Sequence, residues 1–172
     1  MKKITLNTPS KKIAFTGILA SLALILGYLE FLISFDAVIP GIKLGLANLA
    51  VLCALVCIGK KAALSVCILK VCLTSLLFGN FFSFCYSLLG GLLSLAVMAL
   101  LKTSKKFGVI GISAAGGVAH NIGQIIAAVI LLSETKIALY TPILIASGAI
   151  TGTMIGICLN TILKKIIKNY GN

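Results

Sequence analysis

The sequence predicts an all-α, polytopic integral membrane protein with six transmembrane helices and both termini in the cytoplasm, and three observations carry that prediction. The first is composition: of 172 residues, 60% are apolar and only 10% charged, whereas a soluble domain uses about 25% charged residues to cover its surface. With a mean hydropathy of +1.18, most of this surface must be solvated by lipid. The second is segmentation. Six apolar stretches of about 15–26 residues alternate with short polar runs, and a helix needs ~20 residues to cross the hydrocarbon core.

The third is the placing of charge. All fifteen basic residues are lysines, and the acids are Glu30, Asp36 and Glu134, for a net charge of +12. Lys2, Lys3, Lys11 and Lys12 precede the first stretch, Lys60 and Lys61 follow the second, Lys102, Lys105 and Lys106 the fourth, and Lys164, Lys165 and Lys168 the sixth. These are alternate loops, so an internal amino terminus puts twelve lysines in the cytoplasm and leaves Lys43 and Lys136 outside, as the positive-inside rule requires. The basic clusters suit an anionic lipid leaflet, and nucleic acid is not an expected partner.

Several chemistries are excluded by the same inventory. Magnesium or paired-acid catalysis needs carboxylate clusters, no phosphate-binding loop is present, and Cys53, Cys57, Cys67, Cys72, Cys85 and Cys158 form no C-x-x-C pair. The cysteines read as packed thiols. No catalytic site, metal or cofactor is therefore expected, and energy for moving a solute must come from an ion gradient or another polypeptide. The apolar stretch within residues 2–35 is too long for a cleaved signal and reads as the first helix. One domain follows: a basic cytoplasmic segment over 1–12, six helices over 13–163, and a basic cytoplasmic tail over 164–172.

Span one, 13–35, carries small residues toward its cytoplasmic half, with Gly17, Ala20 and Ser21 forming a face on which another helix can pack closely or which serves packing inside the bundle. Pro40-Gly41 then breaks the helix. Span two, 44–58, is short at ~22 Å by the helical rise, and an interrupted short segment is where a transport protein exposes backbone to a solute. Span three, 61–79, contains Lys70; span four, 81–101, contains Gly90-Gly91; span five, 107–132, contains His120, Asn121 and Gln124; span six, 139–163, contains Gly148, Gly152 and Gly156 at four-residue steps, a face for close packing.

Lys70 is nine residues from Lys61 and ten from Asn80, and His120 is fourteen from both Lys106 and Glu134. Both belong at the bilayer midplane. A lysine there costs about 2.5–3.5 kcal/mol on the insertion scale, so it either lines a solute site or satisfies itself by snorkelling or on a helix carbonyl. With His120, Asn121 and Gln124 at matching depth, a lined pocket is the sharper reading. Glu30, Lys43 and Asn48 would form a polar vestibule above it on the outer side, although Glu30 can equally mark the interface.

Three ordered motifs carry a family resemblance: Pro40-Gly-Ile-Lys-Leu-Gly-Leu-Ala-Asn48, Ser87-Leu-Leu-Gly-Gly-Leu-Leu-Ser94 and Gly117-Val-Ala-His-Asn-Ile-Gly-Gln124. Over 13–163 the chain resembles the bacterial membrane family called Gx transporters, whose members are also labelled heptaprenyl diphosphate synthase component I. That family in turn resembles the substrate-binding S components of energy-coupling factor transporters. The resemblance implies multi-pass residence in the bacterial inner membrane, capture of a small solute from outside, and docking through the small face of span one on a membrane coupling subunit with ATPases. The competing expectation, from the synthase label, is a membrane accessory of isoprenoid or quinone metabolism. Prenyl transfer itself needs aspartate-rich motifs, and Asp36 is the sole aspartate.

Overall fold

The computed structural model describes residues 8–32, 45–104, 106–133 and 135–170. Among these there is no strand, and six α-helices follow one another: α1 Pro9–Leu32, α2 Asn48–Cys57, α3 Lys60–Phe78, α4 Phe81–Ser104, α5 Val109–Leu132 and α6 Thr141–Tyr170, the last preceded by a 3₁₀ helix at Thr135–Tyr140. Five of them are long and apolar enough to cross a membrane; α2 is not. Its 10 residues rise only ~15 Å. The expectation of six spanning helices is corrected accordingly to five plus a short buried one. The reason lies in Gly45, whose φ of +70° is left-handed backbone, so the chain turns through 45–47 and helix begins only at Asn48.

Helices α1 and α6 extend past the expected span bounds toward the termini. Helix α1 begins at Pro9, where proline's fixed φ suits a first turn and its missing N–H loses nothing, so Lys11 and Lys12 sit on the helix instead of in a separate tail. Helix α6 has 30 residues, ~45 Å against a ~30 Å hydrocarbon core. It carries Lys164 and Lys165 beyond the apolar layer.

Helix directions follow from contacts. A Cβ on Gly27 of α1 would lie 2.8 Å from Thr74 Cγ2 of α3, and Tyr28, tilted, and Phe31, stacked, pack on Phe78 with centroids 4.9 and 5.9 Å apart, so α1 and α3 run parallel. Helix α2 runs against α3, and the Lys102 ammonium of α4 donates to the Leu55 and Val56 carbonyls at the C-terminal end of α2, where free carbonyls and the dipole favour a cation. Helices α5 and α6 are antiparallel, Gly156 lying over Ile110 and Gly148 over Gly117. Lys11, Lys12, Lys60, Lys61, Lys102, Lys106, Lys164 and Lys165 consequently share one end of the bundle.

The apolar core occupies the half of the bundle nearest that end. Leu52, Leu55, Val66, Leu95, Met98, Ile112 and Leu159 pack there, drawn from α2 to α6, with Leu19 and Ala23 from α1. Side chains such as Ile13, Ile18, Leu100, Ile130, Ile150 and Met154 are exposed, which in lipid is the stable arrangement. Of the cysteines, all free thiols, Cys57 and Cys67 are buried, but Cys158 is exposed and so is not packed as the sequence reading had it.

Candidate functional site

Beyond the apolar core lies a layer of buried polar side chains at mid-depth. Lys70 is ten residues into α3 and His120 eleven into α5, ~15–17 Å from the basic end and so about half-way through the core. The helices that carry them both meet the glycine pair of α4. A Cβ on Gly90 would lie 2.8 Å from the His120 carbonyl and 2.9 Å from Gln124 Cγ, and one on Gly91 would lie 2.9 Å from Cys67 Sγ, one turn before Lys70. The pair therefore brings α3 and α5 to the same level from opposite sides of α4. Lys70, His120, Asn121 and Gln124 are 7%, 5%, 2% and 8% exposed.

Lys70 Nζ donates to Asn48 Oδ1 at 2.7 Å. Asn48 is the first residue of α2, and its backbone N–H donates to the Gly45 carbonyl at 2.8 Å. Gly45 N–H in turn donates to the Glu30 carboxylate of α1. The turn that starts α2 is thus held by an acid from α1 and a base from α3. Glu30, the sole acid among the described residues, acts here on backbone and is more than an interfacial charge. Lys43, the remaining member of the expected vestibule, lies outside the described residues, as do Pro40 and Gly41.

Asn48, His120 and Asn121 line one cavity with Gly45 and Leu52 at the start of α2, Ser94 and Met98 of α4, Ser113, Gly116 and Gly117 of α5, and Thr151, Gly152 and Ile155 of α6. Its volume is about 20 Å³, enough for a water molecule, which needs roughly 10–15 Å³, and far too small for a vitamin-sized solute. Lys70 meets the wall at Asn48, and Gln124 packs over Gly90. Asn121 spends its donors on structure, giving hydrogen bonds to the Leu144 carbonyl at 2.6 Å and to Ser147 Oγ at 3.3 Å. Ser94 Oγ and Gln124 Oε1 are buried with no hydrogen-bond partner among the described residues.

The residues of the expected docking face separate. Gly17 and Ser21 are exposed on α1 and nothing lies within 4 Å of a Cβ on Gly17, whereas Ala20 is buried. Sequence reasoning missed Ser94, Ser113 and Thr151 as lining groups; Ser94, three and four residues after the Gly90-Gly91 pair, shares that pair's helix face and was the available signal. No group of three or more metal-binding side chains occurs among the described residues.

A bundle of apolar helices with lipid-facing aliphatic side chains, a basic end and a buried polar layer defines a multi-pass membrane protein. A family model described as heptaprenyl diphosphate synthase component I matches residues 19–162, and the chain belongs to that family. No curated protein and no solved structure matches it significantly.

Proposed function

We propose that the chain is a carrier, or the substrate-binding subunit of one, that takes a small solute with an anionic group from the side opposite the lysine-rich end and passes it inward. The observation that supports this most is the Lys70 to Asn48 bond at mid-depth, in a layer whose other side chains are neutral hydrogen-bonding groups. A buried cation in a membrane protein is costly and marks a solute or ion path more often than a structural role. The lysine-rich end faces the cytoplasm of a bacterial cell on the positive-inside rule. Energy comes from a membrane coupling subunit with ATPases, docked on the exposed Gly17 and Ser21 side of α1; the chain itself performs no chemistry.

The test is native mass spectrometry of the detergent-purified protein and of Lys70→Met. A small anionic molecule should co-purify with the first and be missing from the second. Identical co-purifying species in both would defeat the reading. The family description favours one other role, a membrane accessory of a prenyl diphosphate synthase. Under that reading, pull-down from its own membranes should recover a prenyl synthase and no ATPase.

A further inference from the structure

The helices form two sets of three. Helices α4, α5 and α6 are locked through backbone: a Cβ on Gly123 would lie 2.8 Å from Gly90 Cα, one on Gly152 2.6 Å from the Ser113 carbonyl, and one on Gly117 would strike the Gly148 carbonyl. Helices α1, α2 and α3 pack on one another, and the start of α2 is tied to both neighbours by Glu30 and Lys70. The sets meet along two seams. At α3 against α4 the packing is close, with Gly91 seated on Cys67. At α2 against α4 and α6 the contact is slight, and the cavity lies there, with Asn48 and Leu52 from one set and Ser94, His120 and Thr151 from the other.

Separating the glycine-locked helices would forfeit close contacts along their length. Atoms bordering a void already lack partners on one side, so the sets part most cheaply at the Asn48 end of α2, away from the Lys102 bonds to Leu55 and Val56 at its other end. Ser94, 2% exposed, lines that void and carries a hydroxyl with no hydrogen-bond partner among the described residues, and a buried hydroxyl left unpaired is costly.

We infer that the cavity is the closed form of a solute chamber, opened when the α1–α3 set parts from the α4–α6 set along α2, with the α3–α4 seam as spine, and that Ser94 and Thr151 then meet the solute's polar head. Among the described residues the lining holds hydroxyl, amide and imidazole groups and no acidic side chain, flanked by Leu52, Met98 and Ile155. It suits a solute with an uncharged or anionic hydrogen-bonding head and an apolar flank. The identity of the occupant rests on the carrier reading; the opening does not.

The experiment uses Ser94→Cys and, separately, Thr151→Cys, purified in detergent and treated with 2-sulfonatoethyl methanethiosulfonate, a water-soluble anion. Peptide mass spectrometry follows each thiol separately, and native Cys67, 1% exposed on the spine, is the reference in the same molecule. The Ser94→Cys thiol, at a site only 2% exposed, should react about tenfold faster than Cys67, because local opening exposes the chamber and not the spine; Thr151→Cys, at a half-buried site, is the accessible control. Equal rates would overturn the inference, and faster reaction of Cys67 would move the opening to the α3–α4 seam. Labelling needs no solute, so labelling without a co-purifying anion defeats the carrier alone, and the reverse outcome defeats the chamber alone.

Discussion

Lys70 Nζ stands 2.7 Å from Asn48 Oδ1, so the lysine at the middle of a membrane-length helix is bonded to the first residue of the shortest helix in the bundle. The bond fixes where α2 starts, and through Gly45 it is continuous with Glu30 on α1. Structure and proposed binding share these side chains: a solute anion that draws Lys70 away from Asn48 would also loosen the turn that walls the cavity.

The two side chains should therefore couple. A hydrogen bond to a charged group is worth about 1.5–3 kcal/mol, so Asn48→Leu should lower thermal stability in detergent by an amount in that range. Lys70→Met with Asn48→Leu should cost less than the sum of the single changes, by about 1–2 kcal/mol in a double-mutant cycle. Strict additivity would show that the bond contributes nothing.

Glu30 and Gly45 allow a test of charge against geometry. Glu30→Gln keeps an acceptor for the Gly45 N–H and should leave stability close to that of the parent, whereas Glu30→Leu removes the acceptor and should destabilise by about 1–2 kcal/mol. Gly45→Ala should cost about as much again, since φ of +70° is disfavoured by ~1–2 kcal/mol for a residue with a Cβ. Melting curves that place Gln with Leu, instead of with Glu, would mean that the carboxylate charge and not the hydrogen bond holds the turn.

Gly117 and Gly152, at the α5–α6 crossing, separate sharply from Gly108. Gly117→Ala and Gly152→Ala each push a methyl into backbone of the facing helix, which cannot move aside as a side chain can, and should cost about 1–3 kcal/mol. Gly108→Ala meets nothing within 4 Å and should be neutral within about 0.5 kcal/mol. Equal tolerance at all three positions would show that α5 and α6 are not in backbone contact.

Much of this was legible beforehand, and the failures have causes. Helix number, four of the five long spans to within a few residues, and the common depth of Lys70 and His120 follow from hydropathy and helical rise, which depend on the chain alone. The glycine steps at 148, 152 and 156 announced a close crossing because small-residue spacing has few other uses in lipid. The length of α2 was overestimated because apolar residues 44–47 look helical by composition, and only the left-handed Gly45 shows otherwise. Lys102 read as a loop charge; its bonds to Leu55 and Val56 depend on where α2 ends in space. Ser94 shares a helix face with Gly90-Gly91, but Thr151 carries no periodic signal that separates a lined cavity from ordinary packing.

The shared basic end predicts an orientation. Seven lysines on four helices and Lys106 in the loop before α5 lie there, so the positive-inside rule acts on the whole bundle. In right-side-out vesicles, a membrane-impermeant maleimide should not reach Ser104→Cys, on that end, and should reach Leu132→Cys, at the end of α5 farthest from it. In inverted vesicles the pattern should reverse. The opposite pattern would place the lysines outside and reverse the proposed direction of loading.

The last prediction concerns the partner. Gly17 and Ser21 are exposed on α1 and space is open above Gly17, so Gly17→Leu adds a side chain toward lipid and should leave the melting temperature unchanged. Ala20 is buried, and Ala20→Leu should destabilise the bundle by about 1–3 kcal/mol through overpacking, which makes it a poor probe of docking. If a coupling subunit packs on α1 at small-residue distance, Gly17→Leu and Ser21→Leu should weaken its co-purification from membranes by forcing the helices apart, while the anion bound near Lys70 is retained. Recovery of the same partners in the same amounts from parent, Gly17→Leu and Ser21→Leu would show that this side of α1 faces lipid alone.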